Sequence, residues 1–465
     1  MSRLLNGIGK SPRRVEGKMA RKIIIIGAHA AGCDAAAAAR LTDREAEIIL
    51  LTNERYAGYS RCGLPFVIGG HIRSFQDLIV FPQSYFKMNR LDLRLESNVT
   101  NIDVNAKTVE VQYKDGSIEK LQYDSLIIAT GARPAMPPIK GREKQGVYVL
   151  RTIDDGERID QAVKEAKSAV VIGAGLIGLE LGVAFVERGL KTTVVELLPQ
   201  ILPAMLDKDV ADFVQRELEK NNLRIVTGKS VEEILGGEKV TGVAVAGEQI
   251  QADIVVVATG VRGNVELAQK AGIELGETKL IKVNMRMETN VKDVYACGDC
   301  VESINLITKR PTVCQLGTTA VRQARVAGIN AAGGYAIFPG VLGAAVTKLF
   351  DLEIGAVGLT EAFAKRAGIE TVSMTLSGKT RASYYPGAMP LRIKLIADKE
   401  TEKIVGAQIV GGEGVAQRIN ALSFAILKEM SVKELAKAET CYAPPLSETW
   451  DPMILTAQAL LRRIK

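Results

Sequence analysis

Cys62 lies in the run Tyr59-Ser60-Arg61-Cys62-Gly63-Leu64-Pro65, and five residues on, where a dithiol would carry its second sulfur, the chain has Val67. Redox chemistry here falls to one sulfur, which can cycle through thiolate, mixed disulfide, persulfide or sulfenate. Gly63 and Pro65 suit the start of a short helix. The positive end of its dipole and the neighbouring Arg61 are expected to lower the thiol pKa.

Two glycine-rich phrases supply the rest of the chemistry. Gly173-Ala174-Gly175-Leu176-Ile177-Gly178 follows an apolar strand and opens a helix. In that setting the first glycine permits a tight turn, the second lets backbone approach a pyrophosphate, and the third lets helix pack on strand, while the helix N-terminus offers amide donors. Glu196 ends the next strand, eighteen residues after Gly178, where a carboxylate accepts from a ribose 2′-hydroxyl. No Lys or Arg between Glu196 and Asp207 is available to meet a 2′-phosphate, so NADH is expected in preference to NADPH.

The earlier phrase, Gly27-Ala28-His29-Ala30-Ala31-Gly32, has His29 where the second glycine normally stands. It comes directly after four isoleucines and reads as a second pyrophosphate turn. Thr52 occupies the usual acidic position after the following strand and Glu54 lies nearby; either can hold that ribose. Cys297-Gly298-Asp299-Cys300 lacks the second cysteine pair or histidines of a zinc site. A strand from Thr289 to Ala296 that delivers Asp299 to the ribityl chain of a flavin explains it better, with Cys297 and Cys300 as buried small hydrophobes. Electrons are then expected to run from nicotinamide through flavin to Cys62.

The 465 residues carry 60 Lys and Arg against 53 Asp and Glu, a formal charge of +7 with no basic block, so nucleic acid is not an expected partner. The absence of an apolar run of ~18 residues removes the expectation of a membrane span. Six scattered cysteines without an extracellular signal read as free thiols, and the cytoplasm is the expected location. His29 and His71 are the only histidines, and no metal centre is expected. Residues 1–20 read as a flexible basic arm in which Met19 is a candidate start.

The elements that must position these residues come in two similar rounds. Lys22 to Ile26, an Ala-rich helix from Ala35 to Leu41 and the run Ile48 to Leu51 make a βαβ opening. Strands follow from Val99 to Tyr113 with an Asp115-Gly116 turn, and a buried strand from Ser125 ends in Thr130-Gly131 before a Pro134, Pro137, Pro138 linker. From Ala169 the pattern restarts, with a helix from Leu179 to Arg188 and a strand from Thr192 to Glu196. The phrase ending in Gly260 repeats the one ending in Gly131. A last section mixes strands, Leu391 to Ile396 and Ile404 to Val410, with a helix near Ala416 to Glu429.

Together these motifs resemble the pyridine nucleotide-disulfide oxidoreductase superfamily, from Lys22 to the C-terminus. The single Cys62 resembles the branch of coenzyme A-disulfide reductases, persulfide reductases, NADH peroxidases and NADH oxidases, and so do Tyr384-Tyr385-Pro386-Gly387 and Tyr442-Ala443-Pro444-Pro445-Leu446-Ser447. The resemblance implies an α/β fold with two Rossmann-like dinucleotide-binding domains plus a C-terminal α+β dimerisation domain. Residues 21–145 and 266–338 would bind FAD, 146–265 NAD(H), and 339–465 would pair two copies in a homodimer.

It implies catalytic roles for Cys62, Tyr384, Tyr385 and Tyr442, the tyrosines reaching a partner's site as proton donors. Cofactor contacts are expected from Gly27, His29, Gly32, Thr52, Glu54, Arg61, Thr130, Gly131, Gly173, Gly175, Gly178, Glu196, Gly260 and Asp299. The implied activity is NADH-driven reduction of a small disulfide or persulfide, with coenzyme A as substrate or bound ligand. The alternatives are an NADH oxidase that reduces dioxygen through a cysteine sulfenate and a flavin-binding electron-transfer subunit. Ala30 stands where the family's peroxidases and many oxidases carry a histidine beside the sulfur, and Arg61 replaces the Asn that commonly precedes the cysteine in coenzyme A-disulfide reductases.

Overall fold

The computed structural model describes residues 20–464; the expected basic arm, apart from Ala20, lies outside them. Ile23 to Ile26 are buried because the strand Lys22–Ile26 is the centre of a five-stranded parallel sheet. Glu47–Leu51 and then Leu91–Arg94 lie on one side of it, Ser125–Ile128 and then Val294–Ala296 on the other. A strand covered on both faces reads as an unbroken apolar run.

The second sheet repeats this plan, with Ser168–Ile172 between Lys191–Val195 and Ile254–Val257, and with Arg224–Val226 and Val147–Tyr148 at the edges. Each sheet is accompanied by a three-stranded antiparallel meander, Ser97–Asp103, Thr108–Tyr113 and Ile118–Gln122 in the first, Val231–Gly236, Val240–Val245 and Glu248–Gln251 in the second. Ala132–Pro134, leaving the first unit, pairs antiparallel with Val261–Gly263, returning to it.

The last section is a five-stranded antiparallel sheet, ordered Ala345–Leu349, Leu352–Gly358, Ile404–Gly411, Pro390–Asp398 and Thr371–Lys379. The helices Val415–Leu427 and Pro452–Ile464 pack on it through residues such as Ile419, Leu422, Ile454 and Leu460. Among the described residues no helix is long and apolar enough to cross a membrane.

Two helices begin earlier than their composition suggests. The first spans Ala30–Thr42 and the second Leu176–Glu187, each springing directly from its glycine turn. Gly32 and Gly178 lie inside these first turns despite the helix cost of glycine, because a Cβ there would lie 1.8 Å from Gly27 O and 2.0 Å from Gly173 O. Close helix-on-strand packing outweighs local propensity.

Candidate functional site

Both glycine turns sit at the carboxyl ends of parallel strands, where open α/β sheets bind ligands. Their geometries match: φ is +112° at Gly27 and +107° at Gly173, and each amide donates to the next strand's last carbonyl, Leu51 O and Val195 O, at 2.8 Å. Such φ values favour glycine. A Cβ on Gly175 would meet nothing within 4 Å, so the missing side chain leaves open room beside the helix N-terminus, the cradle a pyrophosphate requires. His29 precedes the first helix with an extended φ of −114°, which a side chain tolerates.

The acidic candidates differ in what they already hold. Buried Glu196 accepts from Ala174 N at 2.7 Å and Leu198 N at 2.8 Å, tying the strand end to the glycine turn. A carboxylate has further lone pairs for a ribose. Thr52 is buried at the first unit's strand end, and its hydroxyl accepts from Glu54 N at 3.3 Å. Glu54 instead turns to the Cys62 loop, accepting from Arg61 Nη2 at 2.5 Å and from the Tyr59 hydroxyl at 2.7 Å. His29 Nε2 lies 3.1 Å from the same carboxylate, but neither shielded ring nitrogen is aligned for a hydrogen bond. Burial lowers the His29 pKa, against the opposing pull of Glu54. The ring meets Tyr59 edge-on, centroids 4.7 Å apart.

Cys62 falls in a single 3₁₀ turn, Arg61–Gly63, ahead of a helix of five residues, Leu64–Ile68. The sulfur is exposed, yet the protein around it still limits its hydration. Burial pushes the thiol pKa up, Glu180 and Asp299 add to the rise, and Arg151 opposes it. This corrects the expectation that a helix dipole and Arg61 would lower it. The helix is too short to carry much dipole, and Arg61 points away, held by Glu54 and by Arg151 O at 2.7 Å. Arg151 and Glu180 have no counterpart among the sequence-derived residues. Glu180 follows Gly178 by two residues, within the helix that the fingerprint opens; Arg151 belongs to no motif.

Asp299 follows Val294–Ala296 and Gly298, whose φ is +84°. Gly298 N donates to Gln323 Oε1 at 2.9 Å, and Asp299 Oδ2 accepts from Arg151 Nη2 at 2.9 Å. Cys297 and Cys300 are fully buried beside it. Thr130 exchanges hydrogen bonds with Asn264, Oγ1 donating to Asn264 O at 2.7 Å and Thr130 O accepting from Asn264 Nδ2 at 2.9 Å. Gly131 and Gly260 both have positive φ, +64° and +100°. The first strand-end crevice thus gathers Gly27, His29, Gly32, Thr52, Thr130, Gly131 and Asp299; the second gathers Gly173, Gly175, Gly178, Glu196 and Gly260.

Tyr384, Tyr385 and Tyr442 stand apart, exposed on loops of the last domain, with Tyr384 and Tyr442 hydroxyls 2.8 Å apart. Their hydrogen bond pushes the Tyr384 pKa up.

Residues 21–324 match the family model "Pyridine nucleotide-disulphide oxidoreductase", and 344–454 match its "dimerisation domain". The chain is 44% identical to an NADH oxidase of Methanocaldococcus jannaschii over 95% of this chain and 99% of that protein. It is 34% identical to an NAD(P)H sulfur oxidoreductase (CoA-dependent) of Pyrococcus abyssi, again over 95% and 99%. The structure of an NAD-dependent persulfide reductase from A. fulgidus superposes with a TM-score of 0.93 at 40% identity, over 95% of this chain and 83% of that one. With two like-built nucleotide crevices, a free thiol near both and a matching C-terminal domain, the chain belongs to the pyridine nucleotide-disulphide oxidoreductase family and is an NAD(P)H oxidoreductase.

Proposed function

We propose that this protein is an FAD-dependent NADH oxidoreductase that reduces a small disulfide or persulfide of coenzyme A type through Cys62. The observation that carries the reading is the exposed Cys62 on a turn tied through Arg61 to Arg151, whose guanidinium holds Asp299 of the first crevice. The names of the relatives from Pyrococcus abyssi and A. fulgidus support a sulfur acceptor. The open room at Gly175 and the unpartnered His29 nitrogens fit dinucleotides in both crevices. Bound flavin supplies the two-electron carrier between the nicotinamide hydride and sulfur.

The chain's own residues do the rest. Gly27, Gly32 and Asp299 hold FAD with Thr52 at its ribose, because Glu54 is engaged by Arg61 and Tyr59. Gly173, Gly175, Gly178 and Glu196 hold NADH. The Cys62 thiolate attacks one sulfur of RSSR, a new S–S bond forms as the old one breaks, and RS⁻ leaves and takes a proton. Two electrons from NADH then cleave the mixed disulfide, for a balance of NADH + H⁺ + RSSR giving NAD⁺ + 2 RSH. Exposed Tyr384, Tyr385 and Tyr442 of a second copy supply the proton in a homodimer, and Tyr442→Phe is expected to lower kcat by about tenfold or more without slowing flavin reduction.

The second reading, an NADH oxidase, is favoured by the name of the Methanocaldococcus jannaschii relative. Anaerobic NADH oxidation separates the two. Turnover only when coenzyme A disulfide or persulfide is added supports the reductase; silence until oxygen is admitted supports the oxidase. Glu196→Ala is expected to raise the KM for NADH by roughly tenfold through the lost ribose contact, and an unchanged KM would remove Glu196 from the ribose site.

A further inference from the structure

We infer that Gln408, on the central strand Ile404–Gly411 of the last domain, is a positioning residue for NADH. It acts through Asp207 on the loop that leads from Glu196 back to the second glycine turn. This rests on the reading of Gly173, Gly175, Gly178 and Glu196 as the NADH site.

Every residue of that strand is buried, and Gln408 alone among them has a polar side chain. A buried amide costs free energy unless it is hydrogen-bonded, and here both its ends are spent on one residue of another domain. Asp207 N donates to Gln408 Oε1 at 2.9 Å, and Gln408 Nε2 donates to Asp207 Oδ2 at 2.7 Å. The other carboxylate oxygen accepts from Glu361 N at 3.0 Å. Asp207 stands at the N-cap of the helix Lys208–Glu219, yet its side chain makes no capping bond there. An aspartate so placed normally caps its own helix; this one is turned to the last domain instead.

The loop from Leu197 to Leu206 runs between Glu196 and this pin. Ala174, inside the glycine turn, is held on both sides: its amide donates to Glu196 Oε2 at 2.7 Å, and its carbonyl accepts from Leu202 N at 2.9 Å. Leu202 has a left-handed φ of +46°, a strained conformation that persists in a leucine only where its surroundings impose it. Leu202 O accepts in turn from Met205 N at 2.9 Å and Leu206 N at 3.0 Å, and Gln200 Nε2 donates to Leu206 O at 2.8 Å. Hydrogen bonds, with the peptide link from Leu206 to Asp207, thus join Gln408 to Ala174 and Glu196. When Asp207 is released, Leu202 relaxes, and the turn and carboxylate lose the geometry that receives pyrophosphate and ribose.

The test is calorimetric binding of ADP-ribose to the FAD-loaded protein, beside the steady-state KM for NADH. Gln408→Met keeps the length of the side chain and removes both bonds. It is expected to raise the ADP-ribose Kd and the KM for NADH about fivefold to tenfold, with kcat and the acceptor KM within about twofold of wild type. Gln408→Glu sets a carboxylate against Asp207 and is expected to weaken binding at least as much; adding Asp207→Asn returns a donor to the pair and is expected to bring Kd back to within about twofold of wild type. A purely structural role would reduce the amount of folded protein and leave the Kd of the folded fraction where it is, so an unchanged Kd in Gln408→Met overturns the proposal. Should Gln408→Met fail to fold, the exchanged pair decides, since restored binding supports the proposal and binding as weak as in Gln408→Glu alone overturns it. An ADP-ribose Kd unmoved by Glu196→Ala removes the underlying reading of the NADH site instead, whereas weakened binding in Glu196→Ala beside an unmoved Gln408→Met removes Gln408 alone.

Discussion

Cys62→Ser is expected to lower turnover with a disulfide or persulfide acceptor by about 10³-fold or more, while NADH still bleaches the flavin absorbance at the wild-type rate. Serine preserves the size of the side chain and the 3₁₀ turn, so the loss would report the sulfur alone. The site proposed for NADH is built from Gly173, Gly175, Gly178 and Glu196 of the second unit, and none of these depends on the Cys62 sulfur. Stopped-flow bleaching with and without acceptor reads both halves, and turnover within tenfold of wild type would end the single-sulfur mechanism. The pH dependence has a definite sign. Burial raises the Cys62 pKa, so kcat/KM for the acceptor should climb with pH through the neutral range as the thiolate fraction grows. A profile flat from pH 6 to 9 would mean that the sulfur is already ionised there.

The second large effect is expected far from the sulfur. Lys394 is 3% exposed on the strand Pro390–Asp398. Its ammonium donates to Asp209 Oδ1 at 2.7 Å and Glu361 Oε2 at 2.6 Å, with Asp207 Oδ2 at 3.3 Å. Lys394→Met keeps the stem but leaves three carboxylates without their cation, and breaking a buried pair this way costs about 3–5 kcal/mol. Asp209 and Glu361 are themselves exposed along an adjoining cleft of about 750 Å³, which favours the lower end of that range.

Burial lowers the Lys394 pKa, but its contacts with Asp209 and Glu361 outweigh this and raise it. The stabilisation from Lys394 is therefore complete below its unfolded pKa of about 10.4 and fades as pH rises through the folded value. Asp209 is held low, burial opposing and Lys394 prevailing; its share is present above about pH 3.9 and fades as pH falls through the folded value. Chemical denaturation at pH 7 would refute this if the variant lost less than about 1 kcal/mol.

What the sequence disclosed and what it withheld divide by range of contact. The paired fingerprints, the apolar runs and the repeat ending in Gly131 and Gly260 are local patterns, and each appears in the structure as a turn, strand or connection. Arg61 misled because its charge was assigned to its chain neighbour, while its partner is Glu54, across the turn. Arg151 was invisible, since its partner Asp299 comes from the far end of the first unit. Glu54 and Thr52 were equivalent by position and became distinct only through side-chain direction.

The strand Val294–Ala296 closes the first sheet against Ser125–Ile128, although every strand of the second sheet lies between Val147 and Val257. During synthesis the inner sheet is therefore complete while the outer one still has an open edge at Ser125–Ile128. An unpaired apolar edge is an invitation to foreign strands. Ribosome-bound chains halted before Val294 should carry a protease-resistant inner unit and a first unit that depends on chaperones, and release past Cys300 should end that dependence.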